Sequence, residues 1–503
     1  MYRAAVANLV IILSLVGGVS TKTKNDPGRT NVLVILGDDA GLQMSAYGNH
    51  AIKSPNFDKL AARSVVFKHG YTSVSSCSPS RSVVLSGLPQ HQNGMYGLHQ
   101  FPNSFSSFDK VKSLPVMLRD KNIRTGIIGK KHVGPDYVYG FDFEETEENN
   151  NLNQVGRNIT CMKNFVKQFL SNNDTRPFFL YIAFFDPHRG CDGFCENFGD
   201  GRPGNGVIPD WTPTYYTPDE VKVPYFMPDT PAARQDLVNF YKTLSRMDQG
   251  IGLFMNELES AGFGDNTLVL YSADNGIPFP NAKTNLYESG MMEPFMISSP
   301  LHKENWGKQT EALASTMDIT PTVLNWFNVS VPTNYFKLTG RSLLGAVADT
   351  DSPDYPFVFS SHNFHEVTMY YPMRVIRTTK YRLIHNLNYH APYAIATDLF
   401  AAPTFQDLLN RSIAGQSLNW FKTLDQYYHR TEWELFDLQA DPTELNNLAD
   451  NPDYSLILNQ LQTQLMNWQT ETRDPWHCLP AGDSYMGRCV DLRNGEKFNN
   501  TSL

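Results

Sequence analysis

The chain has 503 residues, 41% of them hydrophobic, 12% aromatic and 18% charged, with a formal net charge of −9 when its 13 His are neutral. That composition excludes a disordered chain, and the absence of any basic run excludes a nucleic-acid binder. Protonating every His would carry the formal charge from −9 to +4, so an acidic compartment would remove repulsion of a polyanionic substrate.

In chain order, Tyr2-Arg3 is a short basic start, Ala4 to Val16 an apolar run, and Gly18-Val19-Ser20 a small-residue cleavage site. This predicts a secretory signal peptide over residues 1–20. A membrane anchor is the weaker reading, because a span needs about 18 to 20 apolar residues and no stretch offers them. The remaining chain is longer than one core usually holds, which predicts a large domain over residues 21–355 and a smaller one over 356–503.

Asn31 to Leu36 is a continuous apolar run that ends in Gly37-Asp38-Asp39, as a buried parallel strand delivering two carboxylates would. Thr125 to Gly129, Phe178 to Phe184 and Thr267 to Ser272 repeat the pattern, followed by Lys130-Lys131-His132, Asp186-Pro187-His188 and Asp274-Asn275-Gly276. The repetition predicts an α/β fold, a mostly parallel sheet flanked by helices, with four strand ends meeting at one crevice. Helices are expected at 113–120, 161–170 and 230–258, and the Gly- and Pro-rich stretch 191–231 as an irregular loop on the pocket rim. Past residue 355, short strands at 368–371, 373–376, 381–384 and 434–438 predict an antiparallel sheet. A last helix, 454–470, carries Leu458, Leu461, Leu465 and Trp468 on one face.

Of six Cys, Cys191 with Cys195 and Cys478 with Cys489 can close small loops, which leaves Cys161 as a free core thiol and Cys77 unpaired. Sequons at Asn158, Asn173, Asn328, Asn410, Asn499 and Asn500 fit a glycosylating route, the last two overlapping. Asp38, Asp39, Asp274 and Asn275 form an all-oxygen set suited to a hard cation such as Ca²⁺. Read singly, each pair is a solvated turn or cap.

Cys77 lies in Ser75-Ser76-Cys77-Ser78-Pro79-Ser80-Arg81, Ser-rich sequence that reads as an exposed turn before a buried helix or strand starting near Val83. The pattern Cys-x-Pro-Ser-Arg, closed by Leu85-x-Gly87, resembles the site at which sulfatases convert Cys to formylglycine. The order Asp-Asp, Cys-x-Pro-Ser-Arg, Gly-Lys-x-His, Pro-His and Asp-Asn-Gly also resembles the sulfatase family of the alkaline-phosphatase-like superfamily. Residues 129–135, 176–180, 208–213, 366–369 and 403–411 are similar to its sulfamidase group.

The resemblance implies one Ca²⁺ held by Asp38, Asp39, Asp274, Asn275 and modified Cys77. It implies sulfuryl or nucleophile contacts from Arg81, Lys130, His132, His188 and Lys283. A thiol that attacked sulfur would be left sulfated, whereas a hydrated aldehyde can expel sulfate as the aldehyde reforms. His188 would donate the leaving-group proton as imidazolium in an acidic compartment. His362, His365 and Glu366 would line the sugar pocket, a carboxylate there suiting a free amine product. The implied activity is removal of the N-sulfate of terminal N-sulfoglucosamine in heparan sulfate-type glycans, by a lysosomal, partly secreted homodimer matured by formylglycine-generating enzyme. The group carries Arg at the position of Lys283 and His at that of Phe185, and Lys lacks the guanidinium fork. An O-sulfatase, or a glycan-binding member with unmodified Cys77, are the alternatives.

Overall fold

The computed structural model describes residues 30–190, 197–198, 205–332, 335–485, 488–491 and 496–497. The predicted signal peptide, the Cys191–Cys195 pairing and the Asn499 and Asn500 sequons lie outside the described residues. Among the described residues no helix is long and apolar enough to cross a membrane.

Eight strands form the large sheet: β1 (Asn31–Gly37), β2 (Val65–Tyr71), β3 (Arg124–Gly129), β4 (Phe143–Thr146), β5 (Phe178–Ala183), β6 (Thr267–Ala273), β7 (Met292–Ser298) and β8 (Gln309–Ser315). Their order is β8-β2-β7-β6-β1-β5-β3-β4. Every pairing is parallel except the two made by β7. The sheet is therefore mixed but mostly parallel, as the repeated apolar runs predict. Leu33 and Ile35 of β1 enter one core and Val32, Val34 and Leu36 the other, which is why the strand is apolar at every position. Full burial of each such side chain stabilises the fold by roughly 1.5–3 kcal/mol.

Helix α1 (Cys77–Ser86) packs Val84 and Leu85 on one face of the sheet. Helices α2 (Ile159–Leu170) and α3 (Pro231–Ser260) cover the other. The start of α3 is set by Thr230, whose side chain accepts from the Ala233 amide, with Pro231 in the first turn.

The second sheet is antiparallel and runs in sequence order: β9 (Phe357–His362), β10 (Met373–Thr378), β11 (Tyr381–Asn386) and β12 (Trp433–Asp437). On one face Ile376, Leu383 and Leu435 pack against Leu461, Leu465 and Trp468 of α4 (Ser455–Glu471). On the other, Val375, Ile384 and Phe436 meet Tyr71, Leu286 and Leu313 of the large sheet's side. A buried pair ties the layers, Arg374 Nη2 donating to Asp474 Oδ1 at 2.8 Å.

Two expectations change. Residues 368–371 are a turn and irregular chain, their amides satisfied locally: Met369 N donates to Glu366 O and Tyr371 N to Asn363 O. The partner of β10 is instead β9. Cys161 is free but half-buried, outside the core. Cys478 and Cys489 are disulfide-bonded, as their spacing predicts.

Candidate active site

The neighbours β6, β1, β5 and β3 run the same way, so their carboxyl ends open on one crevice. Asp38 and Asp39 follow β1, Lys130 and His132 follow β3, His188 follows β5, and Asp274 and Asn275 follow β6. Two backbone features bring them close. Gly129 has φ +101°, and a Cβ there would stand 1.9 Å from Ala183 O, so only glycine lets Lys130 turn inward. Asp39 has φ 61°, unusual for a non-glycine residue, and its amide donates to Asp274 Oδ1 at 3.0 Å.

Cys77 is the first residue of α1 and is buried, as are all ten residues of that helix. The Ser-rich stretch is thus not an exposed turn. Pro79 falls in the first turn, where its missing N–H costs no hydrogen bond, and the serines find buried partners. Ser82 Oγ donates to Pro79 O, Ser86 Oγ donates to Ser82 O, and Ser76 Oγ lies 2.8 Å from His365 Nδ1.

Around Cys77 Sγ, Asp38 Oδ1 lies at 3.5 Å and Asp39 Oδ1 at 3.9 Å. Arg81, one helical turn on, donates from Nε to Asp274 Oδ2 at 3.0 Å and from Nη1 to Lys130 O at 2.9 Å. Lys130 Nζ donates to Asp38 Oδ2. Lys283 Nζ donates to Asp39 Oδ2 at 2.9 Å, to Asp398 Oδ2 at 3.1 Å and to His188 Nε2 at 3.1 Å. His132 Nε2 meets Gln100 Oε1.

Burial works against the charge of every acid in this cluster. It is outweighed at Asp38, where Lys130, His188, Arg81 and Lys283 hold the carboxyl well below its usual range. At Asp39 burial prevails and raises the group to about 6; at Asp274 burial and the Asp38 charge raise it to about 7. Burial and the Lys283 and Lys130 charges push His188 well below the ordinary imidazole value. The same holds for His132, driven down by burial, Lys130 and Arg81.

The donor set fits a hard cation. Oxygens of Asp38 and Asp274 lie within 4.8 Å of each other and of Cys77 Sγ. Asn275 Nδ2 donates to Asp39 Oδ1 at 2.6 Å, and its Oδ1 is buried with no hydrogen-bond partner. An orphaned amide oxygen among three carboxylates is what Ca²⁺ coordination would satisfy.

Above this cluster is a cavity of about 720 Å³ lined by Cys77, Lys130, His132, Phe185, His188 and Asp398, among others. His365 and Glu366 also line it; His362 does not. Arg81 and Lys283 are fully buried beneath the floor. Phe185 forms a wall, with Lys130 Nζ 4.6 Å and the Arg157 guanidinium carbon 4.5 Å from its ring centre. Asp398, Gln100 and Glu147 also line the cavity and carry no motif by which the sequence alone would show them, Asp398 reaching it from the short helix Thr397–Ala401. Sequence reasoning missed the brace under His188, where Arg157 and Arg246 both bind Asp186. Of the sequons, Asn173, Asn328 and Asn410 are exposed. Asn158 is buried, caps α2 and donates to Asn205 O at 2.8 Å.

A family model described as Sulfatase matches residues 30–329. The chain belongs to the sulfatase family. A second model, described as N-sulphoglucosamine sulphohydrolase, C-terminal, matches residues 409–471 of this sulfatase. It is 52% identical over 480 residues to human N-sulphoglucosamine sulphohydrolase, covering 92% of this chain and 95% of the relative. An ulvan-active sulfatase of Formosa agariphila is 25% identical, with 89% and 76% covered. Among solved structures, one in complex with its substrate D-glucosamine-2-N,6-O-disulfate superposes with a TM-score of 0.63 at 20% identity, covering 89% of this chain and 98% of that one. A 2-O GAG sulfatase gives 0.64 at 21%, covering 90% and 95%. At such identities these two likenesses speak to the fold of the sulfatase alone.

Proposed function

We propose that this sulfatase hydrolyses the N-sulfate of terminal N-sulfoglucosamine in heparan sulfate-type glycans, releasing sulfate and a free amino sugar. The observation that carries the reading is the 52% identity over nearly the whole chain to human N-sulphoglucosamine sulphohydrolase. It is supported by the site, where Cys77 lies beside three buried carboxylates and Asn275. Asp38, Asp39, Asp274 and Asn275 would hold Ca²⁺, and Cys77 would be converted to formylglycine. When present, the ion supplies Lewis acidity and the hydrated aldehyde an oxygen nucleophile.

The chain's own residues do the rest. Lys130 faces the cavity and neutralises sulfuryl oxygens, while Arg81 and Lys283 act from beneath through their fields in a dry site. His188, with Nε2 accepting from the Lys283 ammonium at rest, takes up a proton there as the anionic substrate binds and gives it to the leaving nitrogen. His132, held by Gln100, orients the nucleophile's side of the cavity. Phe185 and Leu98 exclude water. In this reading the chain enters the secretory pathway, meets formylglycine-generating enzyme, and works as a homodimer in the lysosomal lumen with some secreted.

The test is sulfate release from N-sulfoglucosamine and from glucosamine O-sulfates at acid pH. Release from the N-sulfated sugar is expected. Turnover of O-sulfated sugars alone would turn the assignment to an O-sulfatase, and binding without turnover to a glycan-binding protein.

A further inference from the structure

The reactions of N- and O-sulfates differ in what they leave behind. A sulfamate anion and water give an ammonium and sulfate, R–NH–SO3⁻ + H2O → R–NH3⁺ + SO4²⁻, with the S–N bond broken and both water protons ending on nitrogen. A sulfate ester gives a neutral alcohol, and the extra proton goes to solvent. A carboxylate beside the leaving group therefore stabilises a nitrogen leaving group as its positive charge develops, and does much less for an oxygen one.

Glu366 is the carboxylate that sequence puts nearest this role, but its oxygens are committed elsewhere. Oε1 accepts from the Thr397 amide at 2.9 Å and Oε2 from Thr397 Oγ1 at 2.6 Å. Glu147 lines the cavity, yet burial pushes its carboxyl up to about 8, so at acid pH it is a neutral donor. The residue after Thr397 is Asp398. Its Oδ1 accepts from the Leu399 amide at 2.9 Å, and its Oδ2 lies 3.1 Å from Lys283 Nζ and 4.0 Å from His188 Nε2. Burial opposes its ionisation, but the Lys283 ammonium, by its charge and its hydrogen bond, keeps it well below the usual carboxylate range. A carboxylate has about four acceptor sites, so Asp398 keeps capacity toward the cavity it lines.

We infer that Asp398 is the leaving-group subsite, a carboxylate that receives the ammonium as it forms beside His188 and so selects nitrogen over oxygen. Glu366 is a positioning residue that fixes Thr397 and, through it, the short helix Thr397–Ala401 that carries Asp398. This rests on the N-sulfate reading, and it explains why a residue from the C-terminal part of the chain completes a site built from sheet loops.

The experiment measures binding of glucosamine and of N-acetylglucosamine to the unaltered protein at pH 5, then to D398N, D398E and E366Q. A charged hydrogen bond of this kind corresponds to roughly a 10- to 100-fold preference for the free amine. That preference is expected in the parent, to vanish in D398N, to return in part in D398E, and to shrink in E366Q. Inhibition by sulfate ion should weaken in none of the variants, since removing the Asp398 charge leaves the Lys283 ammonium freer to attract an anion. Equal binding of the two sugars by the parent overturns the inference without recourse to any variant. So does a D398N protein that folds, as judged by its melting transition, and keeps the amine preference. If the parent prefers the amine but hydrolyses only O-sulfates, the N-sulfate reading falls and with it the selection of nitrogen over oxygen, while Asp398 stands as an amine-binding carboxylate.

Discussion

Lys283 Nζ lies 3.1 Å from His188 Nε2, and His188 Nδ1 lies 2.8 Å from the carbonyl oxygen of Arg189. The imidazole is thus clamped at both ends, donating from Nδ1 and accepting at Nε2. Lys283 has no exposed surface, so its contribution is a fixed charge beneath the reacting centre. Replacing it by Met should lower kcat/KM for sulfate release by roughly 10²–10³-fold, the loss typical of removing one preorganised electrostatic group. K283R keeps the charge and should lose less. Steady-state kinetics on protein of verified Cys77 conversion decides it; K283M within threefold of the parent would rule out the role.

Arg81 serves structure as well as chemistry. It is fully buried, and both Nε and Nη2 approach Asp274 Oδ2, at 3.0 and 2.8 Å. R81M leaves Asp274 and Asp38 without that cation and should destabilise the fold by about 3–5 kcal/mol, as breaking a buried ion pair does. Urea unfolding measures this, and a loss below about 1 kcal/mol would show the pair to be dispensable.

The orphaned Asn275 Oδ1 leads to a prediction about metal. Ca²⁺ added to chelated protein should raise the melting temperature in a concentration-dependent way, stabilising by about 2.7 kcal/mol at a hundredfold excess over Kd. N275L, which removes the orphaned oxygen, should weaken that response. A melting temperature indifferent to Ca²⁺ in the parent would speak against the site.

His91 gives a pH dependence outside the active site. Its Nε2 lies 2.8 Å from Thr472 Oγ1, and burial lowers the imidazole to about 4, with Asp474 opposing and Arg374 assisting. The folded value lies below the unfolded one of about 6.5, so the native state binds fewer protons, and stability present above pH 6.5 is lost as pH falls toward 4. H91Q should therefore lose about 2 kcal/mol less than the parent between pH 7 and 4.5. Paired urea titrations at the two pH values read the difference; parallel losses in both proteins would refute it.

The sheet strands that carry the site were legible because a strand buried on both faces is apolar at every position, as in Val32 to Leu36. β2, β7 and β8 were not, because Lys68, Glu293 and Glu311 interrupt their apolar runs. Asp38, Lys130 and Asp274 could be named from sequence, since each follows a strand at once, and His188 lies a few residues past the end of β5. Asp398 could not: its position depends on Glu366 bonding to Thr397, a contact across 31 residues that no local spacing encodes. The helical start at Cys77 was hidden for a related reason. Serines favour turns when solvated, and here tertiary partners such as His365 satisfy them.

Sulfate release from N-sulfoglucosamine decides whether this is an N-sulfatase, measured on protein whose Cys77 peptide is about 18 Da lighter than the unmodified sequence, the mass change of Cys becoming formylglycine. The account predicts equimolar sulfate and glucosamine. Converted protein that releases no sulfate from this sugar would contradict it.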